Sequence, residues 1–326
     1  MVILHRDHPI YKLNDDTPEL SKKLFGFYYL KFAKILKSNN ISYRLTHYED
    51  YDMPMFGDYF VGRFAQSEFD VPMHSHYFDK LYDYYGENMW PNERAYYYYN
   101  DKERQYELLD KYGIHVPSIV CNDFDELQKN ITIGTVIKSI YGAGSEDTFY
   151  VWEKEHLNHI EEYISKCYNK SFFPCQIQEH IDVEYEYKMV ITNDEIYGCK
   201  QKLLKEWDHP NDFPFNYGDE HWASRVTKEG SGNQLGTESL SLEEFDMDLL
   251  ESIMNIQKEL NTPNIKFDFL GNKATEFTYM YGEIPMSSWK YNSFNLDSKS
   301  FEERVVSIND FAYKQSNSVL KHLGVI

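Results

Sequence analysis

Thr135-Val136-Ile137-Lys138-Ser139-Ile140-Tyr141-Gly142-Ala143-Gly144-Ser145-Glu146-Asp147-Thr148 is the stretch on which the reading of this chain turns. A short apolar run delivers one lysine. Just beyond it, Gly142 and Gly144 flank Ala143 and free the backbone, so that amide groups can approach a phosphate closely. A lysine on a strand with a glycine loop folded over it suits a nucleoside triphosphate. The same Gly-x-Gly after a strand is equally the mark of an ordinary hairpin. No Gly-Lys-Ser or Gly-Lys-Thr opens a helix here, which excludes a P-loop, and the third glycine of the Rossmann spacing is missing.

A second stretch downstream bears on the same question. Ile265 to Leu270 and Ala274 to Thr278 read as two strands around a three-residue turn, Gly271-Asn272-Lys273. In a regular hairpin Leu270 faces Ala274 and Asp268 faces Glu276. Two carboxylates with β-carbons about 5 Å apart repel unless something positive lies between them. Mg²⁺ is the natural occupant, since one or two carboxylates together with substrate phosphates bind it. The plainer alternative is an exposed sheet face that solvates both acids, with Phe267, Phe269 and Phe277 on the opposite, apolar side.

Between and before these stretches the periodicities lay out an α/β chain. Val2 to Leu4, Ile41 to Leu45 and Tyr59 to Val61 read as strands, with a helix capped by Thr17 between the first two and Arg63 just after the third. Tyr96 to Tyr99 reads as a buried strand or an interlobe packing segment. Asn100 or Asp101 caps a helix that runs to Tyr112, and Gly113 ends it. Lys102 falls in the first turn of that helix, against the dipole, which suggests that it meets an anion; an exposed lysine on a solvated face is the bland alternative. After the glycine loop come a helix from Glu155 to Tyr168, a strand from Gln176 to Ile181, and a hairpin whose alternation projects Glu184, Glu186 and Lys188 from one face. Lys200 and Lys202 share a face of the returning strand. Trp207 to Gly236 is a long loop containing Arg225; Ser241 with Glu244 makes a capping box, and a last helix spans about Phe301 to Leu323.

Composition narrows the partners. The chain has 326 residues, enough for two or three lobes, and 42% of them are hydrophobic, enough to bury. Its 33 basic and 53 acidic residues leave a net charge of −20. That field repels nucleic acid and anionic membrane surfaces, so neither is expected as a partner. Cys121, Cys167, Cys175 and Cys199 show no zinc spacing, His74 and His76 lack a third spaced ligand, and the N-terminus has no long apolar run; reduced thiols and the cytoplasm are the expectation.

Taken in order, the pieces resemble the ATP-grasp superfamily, most closely its RimK-type and D-alanine–D-alanine-ligase-like members. The resemblance covers about Asp101 to Glu283. It rests on Asn100-Asp101-Lys102 with its helix, on Val136-Ile137-Lys138 with its glycine loop, on Gln178-Glu179-His180-Ile181 followed by Glu184 to Lys188, and on Asp268 with Glu276. It implies an α+β fold whose two lobes clasp ATP, preceded by a small α/β domain. Residues 1–99 would be that first domain, which usually helps bind substrate, 100–180 the small lid subdomain, and 181–326 the large subdomain with the metal site.

By the same resemblance Lys102 and Lys138 would hold the ATP phosphates, and Tyr141, Gly142, Ala143, Gly144 and Ser145 would belong to the lid. Gln178, Glu179, His180 and Ile181 would form the hinge that binds adenine through its backbone, and Glu186 would take the ribose. Asp268 and Glu276 would bind Mg²⁺. Lys200 and Arg225 match loosely the positions that touch phosphate or the acyl phosphate. The family has an asparagine two residues after the metal-binding glutamate, where this chain has Thr278, and many members have glutamate where it has Gln178. The implied activity is ligation of a small carboxylate to an amine, the partners being an amino acid or peptide, with ADP and phosphate released and a homodimer as a common assembly. A nucleotide-binding protein without ligase activity, or another ATP-dependent transferase, is the alternative.

Overall fold

The computed structural model describes residues 1–6, 31–47, 56–62, 64, 71–99, 101–141, 148–151, 158, 160, 172–192, 195–203, 234–239, 246–279, 290–295, 300–305 and 308–326. Three sheets follow one another along the chain. The first is parallel, with β1 (Val2–Arg6) between β2 (Tyr43–His47) and β3 (Tyr59–Gly62), and β4 (Met89–Trp90) beyond β3. Helix α1, described over residues 31–38, and α2 (Val71–Tyr85) supply Phe32, Ile35, Leu36, Phe78 and Leu81 to its core. The cap expected at Thr17, and Arg63, lie outside the described residues.

The four tyrosines are not a strand. Asn92 follows Pro91, accepts a bond from the Ala95 amide at 2.7 Å, and so starts a short helix, α3 (Glu93–Tyr97). Because a helix spreads its side chains around an axis, the tyrosines reach two cores: Tyr96 stacks on Phe78 with ring centroids 3.8 Å apart, and Tyr99 lies against Tyr279, while Tyr98 approaches Phe277. The alternative expectation, a packing segment between lobes, is what the tyrosines provide.

Asp101 then caps α4 (Lys102–Lys111) through the Arg104 amide, and Gly113, at φ +70°, turns the chain out of it. The second sheet is antiparallel in the order β5 (Ser118–Cys121), β8 (Cys175–Glu179), β6 (Thr135–Ser139), β7 (Thr148–Val151). Helix α5 (Phe124–Asn130) covers it, and Ile137, Phe149 and Ile177 fill the core between. The helix expected over Glu155 to Tyr168 falls almost wholly outside the described residues.

The third sheet is antiparallel: β13 (Lys273–Thr278), β12 (Asn264–Leu270), β9 (Tyr185–Thr192), β10 (Glu195–Leu203), β14 (Lys290–Asn295), β15 (Ser300–Val305), with β11 (Gln234–Ser239) against the second half of β10. Helix α6 (Met247–Leu260) is capped by Asp246 and buries Leu249, Leu250, Ile253 and Ile256 under one face of the sheet. Asp246, not the expected Ser241, therefore starts this helix, because its carboxylate accepts from the Asp248 amide; Ser241 and Glu244 themselves lie outside the described residues. The last helix, α7 (Ile308–His322), is shorter than expected because Ser300 to Val305 pair with Lys290 to Asn295 as a strand instead. Its Val319, Leu320 and Leu323 return to the first core.

Backbone bonds tie α4 and the residues just after it to both the second and the third sheet. Ala274 of β13 donates to the Ile114 carbonyl at 2.6 Å, and the Lys102 amide donates to the Ile140 carbonyl at 3.2 Å. The start of α4 is therefore anchored to the end of β6, beside the glycine loop.

Candidate functional site

The hairpin of β12 and β13 sets Asp268 opposite Glu276, as expected, but not Leu270 opposite Ala274. The turn is only Gly271-Asn272, with Gly271 at φ +61°, and Leu270 faces Lys273. One extra residue on β13, Thr275, absorbs the shift as a bulge, and its hydroxyl donates to the Asp268 carbonyl at 3.1 Å. Bulged strands bend, and here the bend falls beside the carboxylate pair.

Across β9 the register continues the row: Asp268 faces Lys188, and Lys188 faces Cys199 of β10. Residues two apart share a face, so Glu186, Lys188, Lys266, Asp268 and Glu276 form one charged patch. Lys266 Nζ lies 2.9 Å from Asp268 Oδ2, and Lys188 Nζ lies 3.6 Å from Glu186 Oε2. Burial would push the Asp268 carboxyl up, but Lys266 and Lys188 outweigh it and hold the group below its ordinary value. Glu186 goes the other way: burial raises it, and Lys188 offsets only part of the rise.

The second sheet supplies the opposing charge. Ile137 is fully buried in its core, so by alternation Lys138 points to the other face. Burial lowers its pKa, while Glu276, Glu186 and Asp268 pull the other way. The ammonium of a lysine on one sheet thus lies within electrostatic reach of three carboxylates on another.

The remaining expected residues distribute unevenly. Lys102 opens α4 beside Ile140, close in the chain fold to Tyr141, whereas Gly142, Ala143, Gly144 and Ser145 lie outside the described residues. In the expected hinge, Gln178 donates from its side-chain amide to Ser118 Oγ at 3.0 Å, and the His180 amide donates to the Gly134 carbonyl at 2.9 Å. Lys200 faces Tyr187, one position off the row that holds Lys188 and Asp268. Arg225 lies outside the described residues, as does most of the loop from Trp207 to Gly236. Lys188 and Lys266 were not singled out from the sequence as site residues. The signal was there: each stands two residues from an acid on a strand, Glu186-x-Lys188 and Lys266-x-Asp268, and so on the acid's own face.

The donor set fits Mg²⁺ bound together with phosphates. Asp268 is 6% exposed, and its Oδ1 is the only buried acidic oxygen without a hydrogen-bond partner among the described residues. Also among the described residues, no group of three histidine, cysteine or acidic side chains gathers as a transition-metal site would require. A carboxylate pair with one open oxygen is sufficient for a hexacoordinate ion that takes its other ligands from water and substrate.

No protein-family model and no curated protein matches the sequence. Solved structures do match in shape. A macrocyclase, MdnC, bound with the precursor peptide MdnA from Microcystis aeruginosa, is 10% identical with a TM-score of 0.56, over 98% of each chain. D-alanine–D-alanine ligase from Bacillus anthracis, complexed with ATP, is 12% identical with a TM-score of 0.54, over 100% of this chain and 98% of the other. The ATP-grasp ligase PsnB, complexed with a phosphomimetic variant of its minimal precursor, Mg and ADP, is 12% identical with a TM-score of 0.51, over 98% of each.

Proposed function

We propose that this chain, which has the ATP-grasp fold of those structures, is an ATP-dependent ligase that phosphorylates a carboxylate and joins it to an amine. The observation that carries the reading is the row on the third sheet in which Asp268 stands opposite Glu276 on one side and Lys188 on the other, with Lys138 of the second sheet within electrostatic reach. Cations that can neutralise phosphate and carboxylates that can hold a divalent ion then stand in one half-buried cleft. Residues 1–99, 100–180 and 181–326 would serve as its substrate-binding, lid and metal-binding domains.

In the reaction a substrate carboxylate oxygen attacks the γ-phosphorus of ATP, ADP leaves, and the acyl phosphate is then attacked at carbon by the amine with loss of phosphate. Lys138, with Lys102 near the end of its strand, holds the phosphates from the small lobe. Lys188 and Lys266 face them from the large lobe, in the role that the resemblance loosely assigned to Lys200 and Arg225. Ammonium groups fixed around the transferring phosphoryl group stabilise the charge that spreads over its oxygens. Mg²⁺, held by Asp268 and Glu276, would add Lewis-acid stabilisation of that charge. The acyl phosphate survives only where water is kept out, so the site must be shielded from solvent during turnover. The base would lie along Glu179 to Ile181, with Glu186 toward the ribose. An amino acid or peptide is the favoured substrate class, because the neighbours include a D-alanine ligase and a macrocyclase bound to a precursor peptide.

Thermal stability with and without ATP and Mg²⁺ tests the nucleotide site: a rise in Tm for the parent that is lost in Lys138→Ala supports it. ADP release from mixtures of carboxylates and amines then tests ligation. Release of AMP instead points to a different transferase. One observation favours a non-catalytic nucleotide-binding protein: Thr278, on the rung opposite Lys266, puts a hydroxyl where the family has an amide oxygen. Nucleotide binding without ADP release in any mixture would decide for it.

A further inference from the structure

We propose that Lys266 is a placeholder for the divalent cation, so that free metal ion cannot enter the Asp268–Glu276 pair until a nucleotide has drawn the lysine away. The inference rests on the ligase reading for the identity of the site, but the contact that carries it does not. Lys266 Nζ sits 2.9 Å from Asp268 Oδ2, and the two side chains are only 11% and 9% exposed. The lysine reaches the acid from two residues away on the same strand face, so the contact needs no rearrangement of the backbone.

The charge balance supports the same conclusion. Lys188 pairs with Glu186 and Lys266 with Asp268, and Lys138 and Glu276 add one charge of each sign within electrostatic reach of each other. A divalent ion entering alone would leave two uncompensated positive charges in a desolvated cleft and would press against the Lys266 ammonium. A triphosphate brings negative charge that accepts the ammonium and leaves Asp268 Oδ2 open beside the already open Oδ1. Metal is then expected to arrive with the nucleotide or after it, never before.

Mn²⁺ binding to the whole, nucleotide-free chain, read as loss of the free-ion electron paramagnetic resonance signal, tests this without any turnover. The parent chain should leave Mn²⁺ free up to about millimolar concentration, and added ADP should bring uptake. Lys266→Met and Lys266→Gln, checked for folding by circular dichroism, should bind Mn²⁺ without nucleotide at least about tenfold more tightly than the parent, and Lys266→Arg should not. Uptake by the nucleotide-free parent as tight as in the neutral variants overturns the proposal, as does a folded neutral variant with no gain. Failure of ADP to bind the parent at all would instead count against the ligase reading, and the comparison of parent with neutral variants would still decide the placeholder.

Discussion

The two faces of β9, β12 and β13 are made by alternate residues of the same strands, and they do opposite work. On one face Met189, Ile191, Ile265, Phe267, Phe269 and Phe277 close against Leu249, Ile253 and Ile256 of α6 and Leu108 and Leu109 of α4. On the other, Glu186, Lys188, Lys266, Asp268 and Glu276 stand together, Lys188 paired with Glu186 and Lys266 with Asp268. The first face holds the sheet in place; the second is free to be poorly stabilising because the first carries the load. Buried ion pairs contribute little to stability after desolvation, so a cluster of them is better explained by chemistry than by folding.

That division can be broken from either side. The largest effect should come from Phe267→Ala, which leaves a cavity in a fully buried stack with Phe269 and Phe277 and should cost about 3–5 kcal/mol in a denaturant titration. Asp268→Asn, one residue along and on the other face, leaves Lys266 buried without its partner and so should cost stability too, but it should also lower nucleotide turnover about a hundredfold or more, roughly 2.7 kcal/mol of barrier, while sparing ATP binding by comparison. Turnover in Asp268→Asn that falls no further than its loss of folded protein explains would refute the division of labour. Lys138→Ala should weaken ATP binding by about tenfold or more in calorimetry, the scale of one charge-assisted contact, and unchanged affinity would remove Lys138 from the phosphates.

The smallest effect should be a pH dependence that arises on neither face. Burial holds His180 and His322 below the ordinary histidine value, against the pull of Asp182 and Glu87 respectively. The unfolded chain therefore takes up protons near pH 6.5 while the folded chain still resists. Stability from these groups is full above about 6.5 and is lost as pH falls through the lowered folded values. Tm should drop by a few degrees in that window, and the drop should be smaller in His180→Gln/His322→Gln; an identical profile in the double variant would exclude the histidines. Glu186, raised by burial, works in the opposite sense, so the difference between parent and variant is the quantity to read.

How much of this was legible beforehand differs residue by residue. Alternation placed Lys138 on a strand, and hairpin symmetry brought Asp268 opposite Glu276. Asp101 was readable as a cap and Gly113 as a helix stop, since both are local rules. Hairpin symmetry failed one rung away, at Leu270, because a Gly-Asn turn with a bulge at Thr275 is nearly indistinguishable from a three-residue turn without one. The tyrosine run misled for a similar reason: four aromatic residues favour a strand on propensity, and the Pro91-Asn92-Glu93 helix start that overrode it is a weaker signal. The chain's last helix was extended too far because Phe301 to Val305 can satisfy either period until a partner strand is known.

By itself the sequence determined which residues share a strand face, where α4 begins and ends, and that two acids confront each other on a hairpin, because these depend only on local rules of the backbone. Tertiary structure alone decided that Lys138 comes within electrostatic reach of those acids and that α7 returns to the first core. Periodicity sets the direction of a side chain relative to its own strand. Which remote sheet lies opposite is set by how three separate cores pack, and no local spacing carries that information.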